Sequence, residues 1–150
     1  MKSKSLFYIV LLVFFVLITQ GCKATGIAGI DKPITIDGIE FIVSDVARKN
    51  EYSTGNQVNR PKSSGDIVLI VQADVSAGNE EFMQYEWNIS VIDENGRRDT
   101  PSITSFMSGI IGGENRNVLE LIFAVDENSD SFSLILPDNE IVLDSLLSEN

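Results

Sequence analysis

The sequence contains no histidine and a single cysteine, Cys22, among its 150 residues. Without histidine, neither a Ser-His-Asp nor a Cys-His catalytic arrangement can be built, and a zinc site of the usual His and Cys ligands is excluded as well. One cysteine also rules out an intramolecular disulfide. Acid–base chemistry at neutral pH would fall to carboxylates alone, and we expect a protein that is not an enzyme and uses no cofactor.

Basic residues are few, because 11 Lys and Arg stand against 22 Asp and Glu, giving a net charge of −11. Removal of residues 1–21 would take away two lysines and no acid, which leaves 9 basic residues and a charge of −13. Such a surface repels phosphate backbones and anionic lipid headgroups. We therefore expect no nucleic-acid partner and a body that stands off the bilayer.

The N-terminal segment has the organisation of an export signal. A short basic start is followed by an uncharged apolar run over residues 6–18, LFYIVLLVFFVLI. This run is shorter than the roughly 20 residues that a membrane-spanning helix needs, and small and polar residues follow it. These features predict a cleaved signal segment, with an uncleaved anchor as the alternative.

The end of this segment, ITQGC, resembles the lipobox of bacterial lipoproteins. Thr19 and Gln20 stand where that family usually carries Leu and Ala or Ser. The resemblance implies cleavage after Gly21 and attachment of lipid, such as palmitate, to the sulfur of Cys22. Lipidation would also account for an unpaired cysteine in an exported protein. The protein is then expected on the cell membrane or outer membrane, anchored by lipid and facing the periplasm or the exterior.

Three segments follow from this interpretation. Residues 1–21 form the lipoprotein signal peptide, and residues 22–32 form the lipidated cysteine with a tether of at most about 35 Å. Residues 33–146 remain, which is the size of one domain, and they contain no internal repeat and no second linker. We expect a single folded domain.

Apolar residues in this domain alternate with polar residues, which is the period of a half-buried strand. Asp37-Gly38 and Asp93-Glu94-Asn95-Gly96 are turn sequences between such runs. Polar residues 48–65 and the glycine-punctuated residues 106–113 are predicted as loops. The predicted strands cover residues 33–36, 39–46, 66–77, 83–91, 117–125, 132–136 and 141–143, with a weak edge strand over 97–104.

Seven or eight short strands with turns between them predict an all-β, immunoglobulin-like β-sandwich. The order of elements resembles the telokin-like, immunoglobulin-fold domain of unknown function found in many bacterial lipoproteins. That family has no assigned catalytic residues, so the resemblance implies a fold and no chemistry. The segments that carry it are residues 34–41, 66–75, 91–96, 119–125 and 132–134.

Two groups of acidic residues have a spacing that could support catalysis or metal binding. Glu86 and Glu120 lie on outward strand faces and could form a hydrolase carboxylate pair, although outward acids are usually solvated. Asp126, Asn128 and Asp130 have the spacing of a calcium loop, but Ser131 replaces the glycine of such loops. We therefore favour solvated acids and an ordinary turn, with no metal.

Tyr85 and Trp87 share one strand face and could stack against a sugar ring. That face also carries Met83, Ile89 and Val91, which favours packing in the core. A carbohydrate-binding module for envelope glycans stays an alternative, and it requires an exposed Trp87.

The residues 106–113 form the segment that we single out for a partner. If exposed, Phe106, Met107, Ile110 and Ile111 would make a patch suited to an envelope protein or to the membrane. The alternative is a crossover between the sheets that closes one end of the sandwich. The sequence thus predicts a lipid-anchored binding or envelope-structural module.

Overall fold

The computed structural model describes residues 26–28, 31–54, 57–78, 87–111 and 113–144. In that part of the chain, twelve strands form two five-stranded sheets and one two-stranded hairpin. In chain order the strands are β1 (Gly26–Ala28), β2 (Ile34–Ile36), β3 (Ile39–Lys49), β4 (Tyr52–Thr54), β5 (Gln57–Asn59), β6 (Asp66–Val75), β7 (Ser90–Asp93), β8 (Arg98–Asp99), β9 (Ile103–Ile111), β10 (Glu114–Asp126), β11 (Phe132–Leu136) and β12 (Asn139–Val142).

The first sheet has the order β1-β12-β11-β7-β8, and the second has the order β2-β3-β6-β10-β9. Neighbouring strands are antiparallel, except that β1 runs parallel to β12. Strand β6 lies at the centre of the second sheet, as its apolar residues on both faces predict. The predicted all-β sandwich is confirmed, with twelve strands where seven or eight were expected.

One hydrophobic cluster fills the space between the two sheets. Phe41, Leu69 and Phe123 come from the second sheet, while Phe132 and Leu134 come from the first, and each of these side chains is at most 1% exposed. Full burial of a side chain of this size contributes about 1.5–3 kcal/mol to stability. The alternation in the sequence therefore marks the inner faces correctly.

A β-bulge in β3 changes which residues face the core. Val43 pairs with Ala73 of β6, but Asp45 pairs with the next residue, Gln72, so Ser44 is the extra residue. Val43 and Val46 are both buried although they stand three positions apart. Without the bulge, the period of two would turn Asp45 into the core instead.

Three segments differ from their predictions. The predicted loop over residues 48–65 contains the end of β3 and the hairpin of β4 and β5, and most of the predicted loop over residues 106–113 belongs to β9. Residues 26–28 of the predicted tether pair with β12. In each case the segment forms a strand because its backbone N–H and C=O groups pair with another strand of the folded protein. The periodicity of its side chains does not reveal this pairing.

Other local predictions have clearer outcomes. Asp37 and Gly38 connect β2 to β3 with positive φ angles of 51° and 85°, as a tight hairpin turn requires. The predicted strand over residues 83–91 lies mostly outside the described residues, and β7 begins at Ser90. Residues 145–146, at the end of the predicted domain, lie outside them as well.

Candidate functional site

Cys22, the predicted lipidation site, lies outside the part of the chain that the structure describes. Signal cleavage and lipidation therefore stay predictions. The structure does bear on the tether, because β1 begins four residues after Cys22 and Gly26 pairs with Asn139 of β12. Four residues span at most about 14 Å, which is much shorter than the predicted tether.

The four predicted contact residues belong to strand β9, so the prediction of a loop is wrong. Phe106 is partly buried and packs against the main core, whereas Met107 is 40% exposed and Ile110 is 77% exposed. The side chain of Ile111 lies outside the description. Met107 and Ile110 stand three positions apart on a strand and so face opposite sides. Met107 and Ile110 therefore do not share one face, and the segment is not a crossover between the sheets.

The end of β9 and the start of β10 extend beyond the second sheet. Strand β10 pairs with β6 only as far as Val118, opposite Asp74, but its pairing with β9 continues to Glu114. We call residues 107–111 and 113–117 the β9–β10 arm. An ion pair between Arg116 and Asp74 holds the base of the arm to β6, and the hydrogen bond that Arg116 donates to Asp74 raises the pKa of Arg116.

The hairpin of β4 and β5, which we call the flap, covers part of the outer face of the second sheet. Val68, Ile70 and Ile122 on that outer face are at most 5% exposed, and Tyr52 of the flap packs against them. Sequence reasoning missed this second cluster. The available signal was the sequence of β6, which has apolar residues on both faces. The apolar residues on the outer face must be buried by another part of the chain.

Glu120 lies under the flap and is only 8% exposed, so the prediction of a solvated acid is wrong. Tyr52 donates its hydroxyl proton to Glu120 Oε2, and Gln72 Nε2 donates to Oε1 at 2.9 Å. A buried carboxylate is tolerated where donors satisfy its oxygens. Its proposed hydrolase partner, Glu86, lies outside the described residues.

A cavity of about 480 Å³ opens between the flap, the residues that follow it and the second sheet. We call this cavity the outer groove. The buried residues Val68 and Ile122 with the partly buried Ile103 contribute apolar surface, and Tyr52 lines it from the flap. Its volume falls in the range of small-molecule sites, which are mostly apolar with a few polar groups.

Basic residues outnumber acidic residues in the lining of the outer groove, unlike in the protein as a whole. Arg60, Lys62 and Arg97 line it, against two acids, Asp66 and Asp99. Three of the nine basic residues that follow Gly21 are thus gathered around one cavity. The groove is thus a local concentration of basic side chains in a strongly acidic protein.

Arg97 is fixed at one edge of the groove. Its guanidinium donates to both carboxylate oxygens of Asp66, at 2.8 and 3.2 Å, and its Nε lies 3.0 Å from Asp99. The hydrogen bond to Asp66 is the main cause of a raised Arg97 pKa. Since Arg97 follows β7 and Asp66 begins β6, this interaction joins the two sheets.

The predicted turn at Asp126 is a turn in the structure. Asp126 Oδ1 accepts hydrogen bonds from the backbone N–H of Asn128 at 2.8 Å and from its side chain at 3.1 Å. These bonds lower the pKa of Asp126. No group of three or more His, Cys, Asp or Glu within the described ranges could hold a metal ion.

Trp87 is half-buried and packs against the main core. Its ring meets Phe41 edge to face, with 6.2 Å between the ring centroids. It also lines a cavity of about 320 Å³ together with Asn88, Thr100 and Thr104. Tyr85, its predicted neighbour, lies outside the described residues. Trp87 therefore combines a packing role with partial access to solvent.

Comparison with known proteins supports the fold. No family model matches the chain, and a search of curated proteins finds no match. A crystal structure of an uncharacterized β-sandwich protein from Clostridium difficile 630 is similar, with a TM-score of 0.50 over 78% of this chain and 93% of that chain. The chain has a β-sandwich fold. At 10% sequence identity, the similarity concerns the fold alone.

As to membrane insertion, the described ranges include no helix with the length and apolarity to cross a bilayer.

Proposed function

We propose that this β-sandwich is a lipid-anchored, non-catalytic binding module that acts outside the cytoplasm. The leader over residues 1–21 and the lipobox-like sequence that ends at Cys22 support the anchor. The resemblance to the immunoglobulin-fold domain of bacterial lipoproteins agrees with this arrangement. With β1 starting four residues after Cys22, the sandwich would stand within about 14 Å of its lipid.

The outer groove is the observation that carries the binding role. It joins an apolar floor to a cluster of cations in an acidic protein. Arg97 is engaged with Asp66 and Asp99, and Arg60 forms an exposed ion pair with Glu51. Exposed pairs are weak, so Arg60 can exchange its partner for a ligand. The groove fits a small amphipathic anion, with its apolar part on Val68 and Ile122.

Cys22→Ser tests the anchor. After growth with a radioactive fatty acid, the parent should be labelled and should fractionate with membranes, because acyl chains bind the bilayer strongly. The variant should lose the label. An unlabelled parent that fractionates like the variant would overturn the lipid anchor.

Lys62→Glu tests the groove, with anilinonaphthalene sulfonate as an amphipathic anionic probe. The variant should raise the dissociation constant about threefold to tenfold, since it reverses one exposed charge. Lys32→Glu makes the same change of charge at an exposed residue that does not line the cavity. Equal weakening by both variants would indicate an effect of net charge and would count against the groove.

A carbohydrate-binding role is the second candidate, and the cavity beside Trp87 favours it. Asn88, Thr100 and Thr104 supply polar groups next to an aromatic ring, which suits a sugar. Acrylamide quenching of the single tryptophan separates the candidates. Strong quenching that envelope glycans suppress would favour this role, while weak quenching is expected from a ring packed on Phe41.

A further inference from the structure

The β9–β10 arm and the start of β1 lie at the same end of the sandwich. Strand β10 ends at Asp126, and five residues lead from it to Phe132 at the start of β11, so these two strand ends are neighbours. The start of β10 and the end of β11 therefore lie at the opposite end, where β12 begins. Gly26 pairs with Asn139, the first residue of β12, and so belongs to the end that carries the arm.

The proposed lipid anchor would thus draw the arm toward the membrane. At most about 14 Å of chain separates Cys22 from Gly26. Strands of the two sheets in an aligned sandwich keep within about 30° of one direction, so the arm also points toward that surface. Any surface at the other end lies a full strand length further from the lipid.

The two exposed apolar side chains of the arm suit a lipid interface better than a flat protein surface. Met107 and Ile110 face opposite sides, so one protein surface cannot cover both, whereas a lipid interface surrounds an inserted tip. Arg116, the basic residue of the arm, is paired with Asp74. Headgroups of zwitterionic lipids do not repel the acidic body, so they are the natural surface for this contact.

We propose that the tip of the β9–β10 arm inserts into the interfacial layer of the membrane that holds the lipid anchor, with Ile110 as its main apolar contact. This inference rests on the proposed lipidation of Cys22. In this arrangement the arm contacts the membrane that holds the anchor, and the outer groove stays accessible to solvent. The contact would restrict rotation of the domain about its short tether.

The test uses the lipidated protein that begins at Cys22, in phosphatidylcholine vesicles. Because Cys22 is the only cysteine, an Ile110→Cys variant offers one free thiol for an environment-sensitive maleimide dye. Vesicles whose acyl chains carry bromine should quench more than about half of the dye fluorescence relative to unbrominated vesicles. Val142→Cys, at an apolar residue 37% exposed near the far end of β12, should lose almost none.

The outcomes separate the two proposals. A parent protein that takes up the maleimide has an unlipidated Cys22, which overturns the anchor and with it this inference. A parent that stays unlabelled while the dye at residue 110 is quenched no more than the dye at residue 142 overturns the inserted arm alone. Strong quenching at residue 110 only is the result that the proposal predicts.

Discussion

At the scale of single residues, the most informative side chain is Glu120. The sequence places it on an outward strand face, and that face is correct, yet its burial under the flap could not be predicted. Burial depends on Tyr52, which is 68 positions away in the chain. The alternation along a strand predicts which face of the sheet a side chain points to. It does not predict which other part of the chain packs over that face.

Removal of the Tyr52 hydroxyl should destabilise the protein. Tyr52→Phe leaves one oxygen of the buried Glu120 carboxylate without its donor, which costs about 1–3 kcal/mol. Ser108→Ala is the control, because it removes a hydroxyl whose hydrogen bond to Asn117 is exposed. Urea unfolding measures both, and equal losses would contradict the account of the flap.

Stability should fall in acid partly through Asp93. Burial would raise its pKa, but hydrogen bonds from the Arg97 and Asn95 backbone and the Ser129 hydroxyl outweigh burial, so the folded pKa lies below 3.8. The unfolded chain then binds more protons, and stability rises with pH. The contribution of Asp93 is present above about pH 4 and is lost as the pH falls through its folded value.

Asp93→Asn removes this titration and keeps a turn-forming side chain. Urea midpoints measured at about pH 6 and about pH 3 should therefore differ less in the variant than in the parent. An unchanged difference between the two midpoints would show that Asp93 does not contribute to the acid sensitivity.

At the scale of elements, the alternating strands that face the core were predictable, and the additional strands were not. Strand β11 buries every second residue, and β6 and β10 each bury a run of consecutive residues, so their sequences carry the signal. Strands β4, β5 and β9 lie at a hairpin or an edge, where backbone pairing decides and side chains stay partly exposed. The bulge at Ser44 is likewise a property of the pairing with β6.

Arg97 connects elements of both sheets, and its removal should lower the free energy of unfolding. Arg97→Ala leaves Asp66, whose side chain is 11% exposed, without its bidentate partner, and we expect a loss of about 1–3 kcal/mol. Arg97→Lys should recover only part of it, because an ammonium group cannot form the bidentate pair. Arg60→Ala breaks the exposed pair with Glu51 and should cost less than about 0.5 kcal/mol in the same urea titration.

At the scale of the whole molecule, the proposed anchor would act together with the charge. Cleavage after Gly21 would leave a body with a net charge of −13, which the proposed lipid would hold beside a membrane through a few residues of chain. The outer groove gathers basic side chains in this acidic protein. The absence of histidine and the single cysteine could be interpreted from sequence alone. The groove could not, because its lining residues come from six separate strands and three connecting segments.

The lipid anchor is the central claim, and the intact mass of the protein purified from its own membrane tests it most directly. The account predicts a polypeptide that begins at Cys22, lacks residues 1–21 and carries the added mass of acyl chains on that first residue. A polypeptide that still contains residues 1–21, or one with an unmodified Cys22, would contradict the account.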